Sequence, residues 1–215
     1  MFKLTILSSV LTVTSVLAHG GVTSWIIDDT TYPGWNPNLS NPVTNQPDLN
    51  QTTIGRAYTS FGPILAPADP ELSAPIVAGS DITGVYEVWT HPVGPVTTYM
   101  ANCGNPCSAV SSTSLKWFKI KETGLVSGPI LGDGEYLIRF EPIALHVSHS
   151  PQLYPNCAQL VVTNGGGETP SSEYLVKFPG AYSPGDPSLD IDIYAEPTSS
   201  ETSYKVPGPP VWTGN

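Results

Sequence analysis

Apolar and polar positions alternate in short runs along most of this chain, and only its first residues form a long apolar stretch. After "LTILSSVLTVTSVLA" at 4–18 comes a tract rich in Pro, Asn and Asp over 33–80, which the pattern predicts to be surface loop. Short runs with β-branched and aromatic residues follow, "TGVYEVW", "GPVTTYMA", "SLKWFKI", "EYLIRFEPIAL", "CAQLVVT" and "LDIDIYA", separated by Gly, Pro, Asn or Ser clusters. That spacing predicts an all-β sandwich with long surface loops. In "YEVW" and "YLIRFE" the alternation suits strands with one wet face. No segment has a helical period with caps, and consecutive prolines keep the tail "YKVPGPPVW" extended. There is no internal repeat and no low-complexity linker to a second module.

The opening stretch reads as a secretory signal. Lys3 supplies the positive start, and Val16-Leu17-Ala18 fits the small-residue cleavage rule. A buried first strand or a membrane anchor is the alternative, but the run is short for a span and rich in Ser and Thr. The expected division is a signal peptide over 1–18 and a single catalytic domain over 19–215, with no carbohydrate-binding module, in a secreted, extracellular protein. The sequons Asn38-Leu39-Ser40 and Asn50-Gln51-Thr52 are compatible with secretion.

Composition narrows the partners. Eight Lys and Arg against 18 Asp and Glu give a net charge of −10 in 215 residues. Such a surface repels nucleic acid and anionic membrane, so neither is expected as a partner, whereas a neutral substrate meets no penalty. Of the three cysteines, Cys103 and Cys107 flank the tight turn "CGNPC", which favours a disulfide there over a zinc site. Cys157 is left over.

Four histidines, His19, His91, His146 and His149, hold most of the metal-binding capacity. Cleavage after Ala18 makes His19 an N-terminal residue with two nitrogen donors, its α-amine and its ring. One further imidazole completes a nitrogen-rich site of the kind copper(II) prefers. His91 is the candidate, in the stiff turn "THPVGPV". The segment "IALHVSHSPQLYPNC" gathers His146, Gln152 and Tyr154: the tyrosine suits a weak axial position, and His146 and Gln152 could hydrogen-bond an oxygen-derived ligand. His149 reads as a loop residue.

These residues carry a resemblance. "HGGV", "WTHPVGPVTTYMANC", "SLKWFKIKETGLVSG", "YLIRFEPIALH", "QLYPNCAQL" and "YKVPGPPVW", in that order over nearly all of 19–215, resemble fungal lytic polysaccharide monooxygenases of auxiliary activity family 9, formerly glycoside hydrolase family 61. The resemblance implies an immunoglobulin-like (fibronectin type III-like) antiparallel β-sandwich with a flat face around one copper ion. His19 and His91 would form the histidine brace, Tyr154 would sit axially, and His146 and Gln152 would orient the oxygen species. Arg139 and Glu141 would be a buried polar pair behind the site. The implied reaction oxidises a C–H bond beside the glycosidic linkage of cellulose or a related β-glucan, at C1 or C4. It would use hydrogen peroxide, or dioxygen with an external electron donor. Tyr32, Trp35 and Tyr204 are candidates to stack on sugar rings, and the protein is expected to be a monomer.

Two departures stand out. The family's cysteine that would bridge to Cys157 is missing from the loop "LAPADPELSAPIVAG", and between "GLVSG" and "GDGEYLIRFE" a longer family segment with a strand is reduced to "PILGDG". A sandwich lacking an interior strand exposes a sheet edge and loses core contacts. The rival readings are a non-catalytic polysaccharide-binding sandwich and a copper-carrying protein built on the same ligands. A hydrolase is weaker still, since no carboxylate pair stands in an acid/base context.

Overall fold

The computed structural model describes residues 21–36, 53, 55–56, 72–86, 89, 91, 93–104, 106–122, 131–200 and 203–214. Within them the fold is an all-β sandwich, and the helical elements are four single 3-10 turns. A small sheet holds β1 (Val22–Ile27), β2 (Thr30–Pro33) and β4 (Ile82–Tyr86) in the order β2-β1-β4. Asp28 and Asp29, both at positive φ, make the two-residue turn of the β1–β2 hairpin, a conformation that Asp tolerates better than most residues.

The large sheet holds β3 (Ala74–Val77), β5 (Val96–Asn102), β6 (Trp117–Glu122), β7 (Gly134–Ala144), β9 (Asn156–Thr163) and β10 (Leu175–Val176) in the order β10-β6-β5-β7-β9-β3. The two-residue β8 (Gln152–Leu153) adds to the end of β7. Pairing is antiparallel except between β3 and β9, which run parallel. Strand β3 corrects the reading of 33–80 as loop throughout: Ala74 and Ile76 bury one face of a four-residue alternation too short to stand out among prolines. The segment 189–195 is also corrected. It forms turns rather than a strand, with Asp186 and Asp192 accepting bonds from the backbone N–H groups of Ser188 and Tyr194.

The period of 2 splits the large sheet cleanly. Met100, Phe118, Tyr136, Ile138, Leu160 and Val162 point inward and pack on Val22, Trp25 and Ile27 of the small sheet. Each such side chain, fully buried, is worth about 1.5–3 kcal/mol. The alternate positions carry Thr97, Tyr99, Trp117, Lys119, Leu137, Arg139, Glu141, Cys157 and Gln159, and this face, expected to be wet, is buried. The disulfide loop and the stretch around Phe178 and Tyr182 pack over it. Arg139 pairs with Glu141 and lies 4.0 Å from the centre of the Phe178 ring. Lys119 Nζ donates to Glu122 and to the Pro207 carbonyl, and Trp212 N–H donates to Lys119 O, which fastens the extended tail.

A cavity of about 670 Å³ lies between the sheets, lined among others by Met100, Ile120, Ile138, Phe140 and Val162 and bordered by Gly84 of β4. Among the described residues β4 pairs with β1 alone. The disulfide joins Cys103 and Cys107 as expected, and Cys157 is a buried thiol outside it.

Candidate metal centre

The end of β7 assembles the centre. Gln152 and Leu153 pair with Ala144 and Ile143, and the Tyr154 N–H donates to Pro142 O at 3.0 Å, which fixes Tyr154 beside the strand. The turn after His91 docks on the same strand: Ile143 N–H donates to Pro95 O at 2.9 Å and Leu145 N–H to Val93 O at 3.0 Å. Gly94 permits that approach, because at φ +145° a Cβ there would fall 1.7 Å from Ile143 O. His146 follows Leu145 directly.

Four of the expected site residues therefore meet. Tyr154 Oη lies 2.9 Å from His91 Nε2 and donates to Gln152 Oε1 at 2.6 Å. The hydroxyl has one proton and spends it on Gln152, so the contact with His91 is a donation from Nε2–H, which assigns the tautomer. The His146 ring stacks on His91, centroids 4.5 Å apart and planes 15° apart. Its Nδ1 is buried with no hydrogen-bond partner among the described residues. Trp89 stands edge-on to both His91 and Tyr154, at 5.1 and 5.4 Å. Burial holds the Tyr154 hydroxyl above its ordinary range, so it stays neutral.

The donors fit a borderline-soft cation: an imidazole nitrogen and a neutral phenol oxygen converge at hydrogen-bonding distance, and among the described residues no carboxylate joins them to favour a hard ion. Among the described residues no three His, Cys, Asp or Glu side chains group as metal ligands. The expected third ligand, His19, lies outside the described residues, three positions before β1.

The polymer-facing candidates divide. Trp35 is 1% exposed and belongs to the core, so the expectation that it meets substrate is corrected: Gly34 and Trp35 are drawn inward where Gly34 N–H bonds Thr23 O. Tyr32 is half-buried against the core. Tyr204 is 41% exposed and anchored by its hydroxyl to Ser188 O. Sequence reading missed Tyr194, which is 64% exposed and donates to His146 O at 3.3 Å, directly beside the centre. Its hint lay in an aromatic closing a run that looked like a strand. Trp89, Val93, Val147 and Leu153, apolar sequence neighbours of the site residues, are also exposed. His149 is the loop residue expected, paired with Asp190 at the surface.

The family model of Auxiliary Activity family 9 (formerly GH61) matches residues 19–130 and 128–204. The chain belongs to Auxiliary Activity family 9. It is 40% identical to the AA9 family lytic polysaccharide monooxygenase B of Heterobasidion irregulare, over the full length of both chains. That alignment is 253 residues long against a chain of 215, so the relative carries residues this chain lacks. The monooxygenase-like protein CEL1 of Agaricus bisporus is also 40% identical, over 92% of this chain and 71% of its own. Among solved structures, HiLPMO9B superposes with a TM-score of 0.77 at 39% identity, covering 91% of this chain and all of its own. A cellulose-active polysaccharide monooxygenase from M. thermophila superposes at 0.74 and 29% identity, covering 92% of this chain and all of its own. As a family 9 member the chain is an oxidoreductase that cleaves polysaccharide by monooxygenation, in a family of copper enzymes that draw on a reductant. No helix among the described residues is long and apolar enough to cross a membrane.

Proposed function

We propose that the chain is secreted, loses residues 1–18, and as the 19–215 domain would bind one copper ion through the α-amine and ring of His19, Nε2 of His91 and the hydroxyl of Tyr154. The contact between Tyr154 Oη and His91 Nε2, with Gln152 and His146 packed against the pair, carries the proposal. The family match beginning at residue 19 supports His19 as the first residue of the working protein. Copper held there supplies one-electron activation of hydrogen peroxide, or of dioxygen with an external electron donor, toward C1 or C4 of cellulose or a related β-1,4-glucan.

The protein's own groups have defined tasks. For His91 to bind through Nε2, that nitrogen gives up the proton it shares with Tyr154 and the ring takes the Nδ1–H form. Gln152 Oε1 holds the Tyr154 proton, which keeps the phenol oxygen turned to the centre. His146, with a buried nitrogen to offer, is placed to donate to an oxygen ligand or pass it a proton. Tyr194, Tyr204 and Tyr32 with these exposed apolar neighbours form the surface on which a neutral glucan rests by stacking.

The test is a Cu(II) titration of the secreted protein, joined to mass spectrometry of its N-terminus and of products from cellulose with ascorbate and peroxide. The expected result is His19 at the N-terminus, tight one-to-one binding lost in His91→Ala, and oxidised oligosaccharides. Binding without oxidised products would favour a copper carrier. No tight binding would favour a non-catalytic polysaccharide-binding sandwich and overturn the proposal.

A further inference from the structure

The three expected ligands come from three separate segments: His19 ahead of β1, His91 beyond β4, and Tyr154 between β8 and β9. One buried side chain touches all three. Asn156, first residue of β9 and 3% exposed, accepts the Val22 N–H at 3.0 Å through Oδ1. Its Nδ2 donates to the Tyr154 carbonyl at 2.8 Å and to the Tyr86 hydroxyl at 3.1 Å. Val22 stands three residues after His19, and Tyr86 five residues before His91.

The register shows why this bond is needed. Between Val22 and Ser24 the β1–β4 register shifts, so Val22, opposite Tyr86, lies beyond an irregularity in the ladder on the side where the chain leads back toward His19. Asn156 accepts from that end of the strand across the gap between the sheets. Tyr86, at the matching end of β4, is the last described residue before Trp89, and the two rings meet edge to face with centroids 5.4 Å apart. An amide is suited to the position because it offers an acceptor on one side and two donors on the other. A carboxylate would face the Tyr154 carbonyl with no proton to give.

We propose that Asn156 is a positioning residue for the metal centre, clamping the chain leading from His19 and the chain leading to His91 onto the segment of Tyr154. It touches neither metal nor substrate. The inference rests on the copper reading above for its consequence, but the clamp itself can be read in the metal-free protein.

The experiment compares Asn156→Ala and Asn156→Asp with wild type and with Leu160→Ala, a core change farther along the same strand that serves as a stability control. Amide exchange at Val22 is measured without metal, and Cu(II) alone is then titrated and its electron paramagnetic resonance spectrum recorded. The expected outcome for Asn156→Ala is fast exchange at Val22, Cu(II) affinity lower by about 10-fold or more, and an altered copper spectrum. Asn156→Asp should fall between, since it keeps the acceptor and loses both donors. It decides the matter if the alanine variant does not fold. Leu160→Ala should lower the melting temperature while leaving affinity within about two-fold and the spectrum unchanged. Slow Val22 exchange in both Asn156 variants, or affinity and spectrum matching wild type in a folded one, would overturn the inference. So would an equal loss in Leu160→Ala. If wild type itself binds no Cu(II), the copper reading fails, while Val22 exchange still decides the clamp.

Discussion

The two faces of the large sheet make opposite bargains with water. The inner face is mostly apolar, yet among the described residues three strands cover it, and a cavity of about 670 Å³ remains against Ile120, Ile138 and Phe140. The outer face carries Lys119, Arg139, Glu141 and Gln159, yet loops seal it almost completely. Its described charges have partners: Arg139 pairs with Glu141, Arg56 donates to Val110 O and to Gln159 at 3.0 and 2.9 Å and also to Cys107 O, and Tyr182 donates to Glu141 at 2.8 Å. Pattern selects which residues turn inward, but cover decides what burial returns. A polar face under a nearly complete lid is more tightly specified than an apolar face under a partial one.

The sharpest way to break this comparison is Glu141→Leu, which leaves the Arg139 charge buried and unanswered. Loss of about 3–5 kcal/mol in guanidinium unfolding is expected, with the double change Arg139→Met and Glu141→Leu recovering most of it. A single variant within 1 kcal/mol of wild type (about the scatter of a surface change) would mean the outer face is wetter than it looks.

Alkaline unfolding comes next. Burial, and then the Glu141 carboxylate, hold the Tyr182 hydroxyl far above its ordinary value, and burial likewise raises Tyr99. Near the centre, burial lifts Tyr86 from 10.0 to about 12, against the opposing Asn156 hydrogen bond. A raised folded value means that the unfolded chain loses its proton first. Stability is therefore full below pH 10 and falls as pH rises through about 12, by on the order of 2 kcal/mol per such tyrosine. Denaturant midpoints at pH 8, 10, 11 and 12 test the window, and Tyr182→Phe should flatten the fall.

Reducing the Cys103–Cys107 bridge, which closes a short loop on the outer lid, should cost about 2 kcal/mol, read from unfolding with and without reductant. The smallest effect belongs to the inner face. Ile120→Phe, pointing into the cavity, should add about 0.5–1 kcal/mol, and a loss instead would show that space already filled.

Much of this was legible beforehand. Period-2 alternation gave the central strands, and the residues singled out in "THPVGPV" and "HVSHSPQLY", His91, His146, Gln152 and Tyr154, lie together because both segments are bonded to the end of β7. Trp35 was misjudged because a tryptophan between prolines looks the same whether it caps a core or faces solvent; only the Gly34 to Thr23 bond tells them apart. Tyr194 and Asn156 were missed because their roles depend on contacts 48 and 134 residues away, to His146 and Val22, and no local pattern encodes that reach. Alternation alone suggested a wet face for "YLIRFE", since it reports polarity and not what later folds over it, whereas the buried pair of Arg139 and Glu141 is what the family resemblance implied.

Gly94 has a consequence for how the protein tolerates change. No side chain fits against Ile143 O, so random mutagenesis should return an almost blank column at this position, beside a permissive one at exposed Val93. The contrast would report, from survival counts, the docking of the turn after His91 on β7.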